Sequence, residues 1–220
     1  MRVVDKEKPM IVIEHLEPVL TKWVYLEYRH VSMMVGEENL IITNVTSKKD
    51  REKLSEFARV YEESISVLID KLEYDRAIVL EPRARERLEP EDFDTGKVLI
   101  IIGGIMGDHP PKGRTWELLT TRILGRAVPR NLGPGQLSVD GAAYVALQIA
   151  RGRRLEEIPV VEGIEIEVPS PFPGLKNTII LPFTYPVVDG KPLLAPGLLE
   201  YLKREIVLDE DDLIKRFMAE

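Results

Sequence analysis

Apolar positions in the first 150 residues alternate between two patterns. Short unbroken runs, MIVIEH (10–15), NLIIT (39–43), RAIVLEP (76–82) and KVLIII (97–102), are rich in β-branched residues. They are too short for helices and read as strands buried on both faces. Between the first two, TKWVYLEYRHVSMMVG (21–36) repeats at helical spacing, with Val24, Tyr28, Val31 and Val35 on one face. Thr21 can cap its start and Gly36 its end. Ser47, with Asp50 three residues on, resembles a capping box. It predicts a long helix to about residue 70, with Leu54, Phe57, Tyr61, Ile65 and Leu68 on one stripe. TWELLTTRIL (115–124) predicts a short helix and RAVPRNLG (126–133) a short strand entering a loop. SVDGAAYVALQIARG (138–152) predicts a helix capped by Ser138, with Ala142, Ala143, Ala146 and Ala150 as a close-packing face. The alternation predicts an α/β fold with a mostly parallel sheet flanked by helices.

The texture changes near residue 159. Residues 159–196 hold eight of the sixteen prolines. VVEGIEIEVPS alternates like an exposed strand, NTIILPF reads as a buried one, and VDGK (188–191) carries an Asp-Gly hairpin signal. A short acidic helix is expected from Asp209. With no repeat and no low-complexity linker, residues 1–220 read as one domain with a proline-rich elaboration at about 159–196.

Composition narrows the chemistry. The absence of cysteine excludes disulfides, thiolate metal sites and thiol catalysis. Only His15, His30 and His109 could supply imidazoles. A His15/Asp108/His109 metal site needs two loops to meet at one sheet edge, so no metal is expected; His30 reads as an ordinary packed or surface histidine. Apolar runs are far too short to cross a bilayer, and the N-terminus lacks a signal-type apolar region. A cytoplasmic protein without membrane partners is expected. The net charge of −7 disfavours nonspecific nucleic-acid binding. Locally, Lys112, Arg114, Arg122, Arg126 and Arg130 outnumber Asp108 and Glu117, which keeps an RNA partner open. Scarce Asn and Gln beside abundant charge lean toward a thermophilic source.

Ligands of parallel sheets settle at the carboxyl ends of strands. Three loops fall there: LEPRA (80–84), GGIMGDHPP (103–111) and RNLGPGQLS (130–138). Their glycines permit positive φ and close backbone approach to a ligand, or serve only as tight turns. The G-G-x-x-G order, followed by Pro110 and Pro111, does not match a dinucleotide fingerprint. Lys112 precedes Gly113, which excludes a P-loop, and no G-x-S-x-G elbow appears. Glu14 and Glu17 flank His15 just past the first strand, where they could accept protons, hold a cation or simply be solvated.

These segments, with IVIEHLEP, KWVYLEYRH, GEENLIITN, LEPRARERLEPEDF, IIGGIMGDHPPKGRTWELLTTR and LPFTYPVVDGKPLLAPGLLEYLKRE, run in order along nearly the whole chain. They resemble the SPOUT-superfamily branch that includes a fungal protein arginine methyltransferase acting on a small-subunit ribosomal protein and archaeal predicted RNA methyltransferases. G-G-I-x-G-D-H-P-P is the most specific element. The resemblance implies a SPOUT fold with a C-terminal trefoil knot and S-adenosylmethionine bent among the three loops. By position it implies that Leu80, Glu81 and Pro82 border the pocket. Gly103, Gly104, Gly107 and Asp108 would line it, and Leu132, Gly133, Leu137 and Ser138 would cradle the adenine. Residues 159–187 depart most from the family pattern, with Thr184 where an arginine follows the phenylalanine in fungal members.

An arginine acceptor is protonated and a poor nucleophile, so a carboxylate must orient it and take its proton. Asp108, Glu14 and Glu17 are the candidates, in that order, with His109, Arg114 and Arg130 toward the substrate. For an RNA acceptor, Arg83, Arg114 and Arg130 would contact phosphates. The expected activity is methylation of an arginine in a ribosomal or other translation protein. The alternatives are methylation of rRNA or tRNA, and a ribosome-associated cofactor binder without turnover. A monomer or homodimer is expected.

Overall fold

The computed structural model describes residues 8–107, 112–169 and 176–204. The four apolar runs form β1 (Met10–His15), β2 (Leu40–Thr43), β4 (Arg76–Leu80) and β5 (Val98–Gly104). Two short strands complete the sheet, β3 (Arg59–Val60) and β6 (Val128–Arg130). The order is β3-β2-β1-β5-β4-β6 and every pair is parallel. Neighbouring side chains along a strand point to opposite faces. Ile11, Ile13, Ile100 and Ile102 therefore enter the core beneath one helical layer, and Val12, Leu99 and Ile101 enter the core on the other face. Double-sided burial is what the unbroken apolar runs require.

Helix α1 (Lys22–Val35) follows the expected register. The Thr21 hydroxyl accepts from the Val24 amide, Gly36 ends the helix at φ 92°, and Val24, Tyr28, Val31 and Val35 are all buried. The same holds for α5 (Val139–Ala150), capped by the Ser138 hydroxyl, whose small face of Ala142, Ala143, Ala146 and Ala150 is buried. Both helices cover one face of the sheet, and α5 packs on α1.

The long helix expected from Ser47 is corrected. Ser47 does cap a helix, α2 (Lys48–Leu54), but the chain then forms β3 and restarts at Ser64 with the short α3 (Ile65–Leu68). The reason lies in where the stripe is buried. Leu54 and Phe57 belong to the core on one face of the sheet, and Ile65 and Leu68 to the core on the other. One straight helix cannot serve both, so the chain passes around the sheet edge by pairing β3 with β2. The expected helix at 115–124 becomes a π-helical turn, Trp116–Thr120, running into α4 (Thr121–Ile123).

The proline-rich segment is a small antiparallel sheet of β7 (Val160–Pro169), β8 (Lys176–Val188) and β9 (Lys191–Pro192). Asp189 at φ 50° and Gly190 at φ 74° make the expected hairpin turn. Only one face packs: Ile166, Leu181 and Tyr185 meet Trp23 and Leu26 of α1 and residues of α6 (Leu198–Arg204). NTIILPF is therefore only half buried, with Ile180 65% exposed. The acidic helix expected from Asp209 lies outside the described residues.

Candidate active site

The turns after β4, β5 and β6 converge on one cavity of about 270 Å³. Leu80, Glu81, Pro82 and Arg83 come from the first turn, and Ile102, Gly103, Ile105 and Gly107 from the second. Residues 132–139 and Ala142 close it from the third, and residues 112–115 from the remaining side. Aliphatic side chains and glycines form much of the lining, with Glu81, Thr115, Gln136 and Ser138 as neutral or acidic polar points and Arg83, Lys112 and Arg114 as cations. An apolar hollow with a few placed polar groups, slightly below the usual range of about 300–1,000 Å³, suits one small ligand.

Each turn is fixed by a specific contact. Glu81 is 1% exposed; its carboxylate accepts from the Arg83 amide at 2.9 Å and from the Thr120 hydroxyl at 2.8 Å. Thr120 arrives from the π-helical turn, a distortion that recurs at functional sites. The Glu81 amide donates to the Arg130 carbonyl at 2.8 Å, joining the first and third turns. The third turn is tied to the small sheet, where the Thr184 amide donates to the Gln136 carbonyl at 2.8 Å. A side chain at Gly135 would collide with Thr184, and one at Gly107 with Gln136 and Phe183. Those two glycines let loop and sheet close on each other. Ser138 donates to Asp140 at 2.6 Å, and Asp140 meets His30 Nδ1 at 2.8 Å. His30 is thus a buried partner of α5.

The second turn is clamped from outside the cavity. The Met106 amide donates to Glu17 Oε1 at 2.8 Å, and Arg114 donates to the Met106 carbonyl at 2.6 Å. Glu17 and Arg114 approach to 3.6 Å. Arg114 lines the cavity, whereas Glu17 faces a neighbouring hollow of about 350 Å³ shared with His15, Asn44 and Asp50. His15 is bonded to the Tyr28 hydroxyl at 3.0 Å. Burial lowers the imidazole pKa, with Asp50 opposing, and burial raises that of Tyr28.

A family model described as protein arginine N-methyltransferase SFM1-like matches residues 10–208. The chain belongs to the SFM1-like family. Protein arginine N-methyltransferase SFM1 of Saccharomyces cerevisiae is 32% identical over 222 residues, covering 92% of this chain and 98% of the relative. The crystal structure of yeast SFM1 complexed with S-adenosylmethionine superposes with a TM-score of 0.77 at 31% identity, over 90% of this chain and 92% of that one. The dual-specific Trm10 of Thermococcus kodakaraensis shares the fold, with a TM-score of 0.52 at 17% identity over 68% of this chain and 96% of that one.

In this SFM1-like chain, Leu80, Glu81, Pro82, Gly103, Gly107, Leu132, Gly133, Leu137 and Ser138 come together around the cavity. Gly104 does not join them: a side chain there would collide with the Tyr28 hydroxyl, so this glycine admits α1 against β1 and β5. Glu14 is also corrected. Its carboxylate is 1% exposed and accepts from Thr43 at 2.5 Å, Ser64 at 2.6 Å and the Ile65 amide at 2.8 Å. It ties β1 to β2 and to the start of α3, leaving it no role in proton transfer at the cavity. Arg130 turns away to Asp92, at 3.0 Å, and Glu86, at 2.7 Å. It is an ion-pair residue outside the cavity. Asp108 and His109 lie outside the described residues. Among the described residues, no group of three or more His, Cys, Asp or Glu is placed to hold a metal, and no helix is long and apolar enough to cross a membrane.

In the wall formed by residues 112–115, the sequence pointed to Lys112 and Arg114 by their charge; it did not single out Gly113 or Thr115, nor Gln136 in the third turn. Gly113, at φ 71° and packed under Arg83, carried the same glycine signal as its neighbours. Gln136, one of only two glutamines, sits in the middle of the glycine-rich third turn.

Proposed function

We infer that this chain is an S-adenosylmethionine-dependent methyltransferase whose acceptor is an arginine of a ribosomal or other translation protein. The convergence of three turns on one apolar cavity, in an SFM1-like chain, carries the reading. Leu80, Ile102, Leu132 and Leu137 offer apolar walls suited to an adenine and a thioether. Main-chain groups of the glycine-rich third turn and the Gln136 amide offer partners for the edge of a base. Glu81 at the border and Ser138 beside the third turn would add polar contacts to the bound cofactor. When bound, S-adenosylmethionine supplies an electrophilic methyl group.

The chain must hold the acceptor in line with that methyl and keep water out. A guanidinium, protonated below a pKa of about 12, must also lose a proton. A carboxylate beside the methyl serves both needs, orienting the cation and accepting its proton. Asp108 is assigned that role from its place in the G-G-I-x-G-D string. Glu17, held on the Met106 amide beside Arg114, shapes the loop that presents it. His109 and Arg114 belong to the acceptor side. The trefoil knot, implied by the SPOUT resemblance, and a cytoplasmic location, in keeping with a chain without cysteine, are part of the same proposal.

A second reading has one observation in its favour: Arg83, Lys112 and Arg114 line the cavity, a basic rim suited to RNA phosphates. Incubation with methyl-labelled cofactor and ribosomal fractions separates the readings. Label in protein, at arginine, supports the first, and label in RNA the second. Tight cofactor binding with no label supports a binder without turnover. Asp108→Ala is expected to abolish labelling while leaving cofactor affinity within about twofold, the size of an ordinary surface change. Unchanged labelling removes Asp108 from the mechanism.

A further inference from the structure

Beneath the third turn lies a buried polar niche to which the reaction assigns no role. Glu27, on α1 and 8% exposed, accepts from the Trp23 indole at 2.7 Å and from the Val139 amide at 3.2 Å. Asp140, from the first turn of α5 and 2% exposed, shares the niche. It holds the Ser138 hydroxyl at 2.6 Å, the Gly141 amide at 2.9 Å and His30 at 2.8 Å. Tyr185 enters from β8, its hydroxyl buried without a partner among the described residues. Burial, and then the charges of Glu27 and Asp140, raise its pKa; burial and Glu27 likewise raise that of Tyr28 on α1.

Two carboxyls in one dry niche do not both ionise. Asp140 has the partners that favour charge: an imidazole, a hydroxyl and a helix N-terminal amide. At Glu27 burial and the neighbouring Asp140 oppose charge, and the Trp23 and Val139 N–H donors favour it only in part. Burial and Asp140 thus push the Glu27 pKa up to about 8. The Val139 amide that Glu27 holds belongs to the cavity wall, as do Ser138 and Ala142.

We propose that Glu27 is a positioning residue for the cofactor cavity, holding the first turn of α5 against α1 through the Val139 amide. Ionisation sets two negative charges side by side across the α1–α5 contact. The helix dipole attracts a second anion weakly, and Asp140 already occupies that end. The first turn of α5 withdraws from α1, and the wall made by Ser138 and Val139 shifts with it. Affinity for the cofactor therefore falls as pH rises through the titration of Glu27. Glutamine does not titrate and keeps one oxygen to accept from the Val139 amide, giving up the acceptor for the Trp23 indole.

The inference rests on the cofactor reading of the cavity, and the test separates the two. S-adenosylhomocysteine is titrated calorimetrically into the wild type, Glu27→Gln and Glu27→Ala between pH 6.5 and 9.5, with thermal unfolding recorded for each. The ligand's own amino group titrates in this range, so the readout is the ratio of wild-type Kd to Glu27→Gln Kd. The ratio is expected to stay near one at pH 7 and to rise about tenfold by pH 9, one unit above the pKa. Glu27→Ala is expected to bind about tenfold more weakly than Glu27→Gln at pH 7, since it leaves the Val139 amide without its acceptor. A ratio flat across the range, or Glu27→Gln binding as weakly as Glu27→Ala while both remain folded, overturns the proposal. No binding by the wild type at any pH defeats the cofactor reading instead.

Discussion

Single residues around the cavity divide into those that touch its space and those that hold its edges, and mutation separates the two. Glu14 belongs to the second kind although its place just before His15 suggested catalysis. Replacing it with alanine removes the acceptor of the Ile65 amide and leaves the Thr43 and Ser64 hydroxyls only their other partners, the Ile13 carbonyl and Ser66. The expected loss is about 3 kcal/mol, roughly 1 kcal/mol for each of three buried hydrogen bonds. In a chain of this size that lowers Tm by roughly 6–12 °C. Calorimetric unfolding should show the fall while the Kd for S-adenosylhomocysteine, measured well below Tm, stays unchanged. Gly113 is the opposite case. Its φ of 71° disfavours any side chain, and a methyl group there would meet the Arg83 guanidinium. Gly113→Ala is expected to weaken cofactor binding about tenfold, the equivalent of ~1.4 kcal/mol of loop strain. Its effect on Tm should be small because the loop lies over the cavity, outside the core. Normal affinity in this variant would show that residues 112–115 do not wall the cofactor.

Secondary-structure elements show where local pattern suffices and where it fails. α1 and α5 were readable to within two residues because their caps, Thr21, Gly36 and Ser138, and their apolar faces are all local. The 48–68 segment was not readable, because its apolar stripe divides between two faces of a sheet whose edge no local pattern reveals. The cavity was legible as three turns, since parallel topology puts strand ends together. In the fourth wall Lys112 and Arg114 stood out by charge, whereas Gly113 and Thr115 carried no such signal. The roles of Glu14 and Arg130 were misread because a strand residue's partners come from other elements, here α3 and the loop carrying Asp92. The α1–α5 contact also predicts how stability responds to pH. Glu27 keeps its proton in the folded chain up to about pH 8, whereas a free glutamate ionises near 4.5. Between those values folding takes up a proton, so this residue's contribution to stability declines as pH rises from about 4.5 to about 8 and levels off above. Urea unfolding of the wild type at pH 5, 6.5 and 8 should show that decline relative to Glu27→Gln. Parallel pH profiles for the two proteins would mean that Glu27 is ionised in the folded chain.

At the scale of the whole molecule, the antiparallel sheet and the parallel one meet at the cofactor cavity. β8 runs under the third turn, and Thr184, buried at 7% exposure, is the contact. Its amide serves the Gln136 carbonyl, and its side chain fills the space that Gly135 leaves. The family departure at this position thus falls on a packing residue of the loop that walls the cavity. A ligand in the cavity should then tighten a strand that does not line it. Ligand at a hundred times its Kd stabilises the folded state by ~2.7 kcal/mol. Any opening that requires its release slows by about a hundredfold on that basis. If the third turn and the lower half of β8 open together, the Thr184 amide should slow by that factor on addition of S-adenosylhomocysteine. Amides near Ile180, at the far half of the hairpin, should keep their free rates as long as they exchange by local fraying. Native-state hydrogen exchange with residue resolution reads both at once. Slowing at Gly133 and Gly135 without slowing at Thr184 would uncouple the two sheets. The small sheet would then be a lid support whose motion the cofactor does not control.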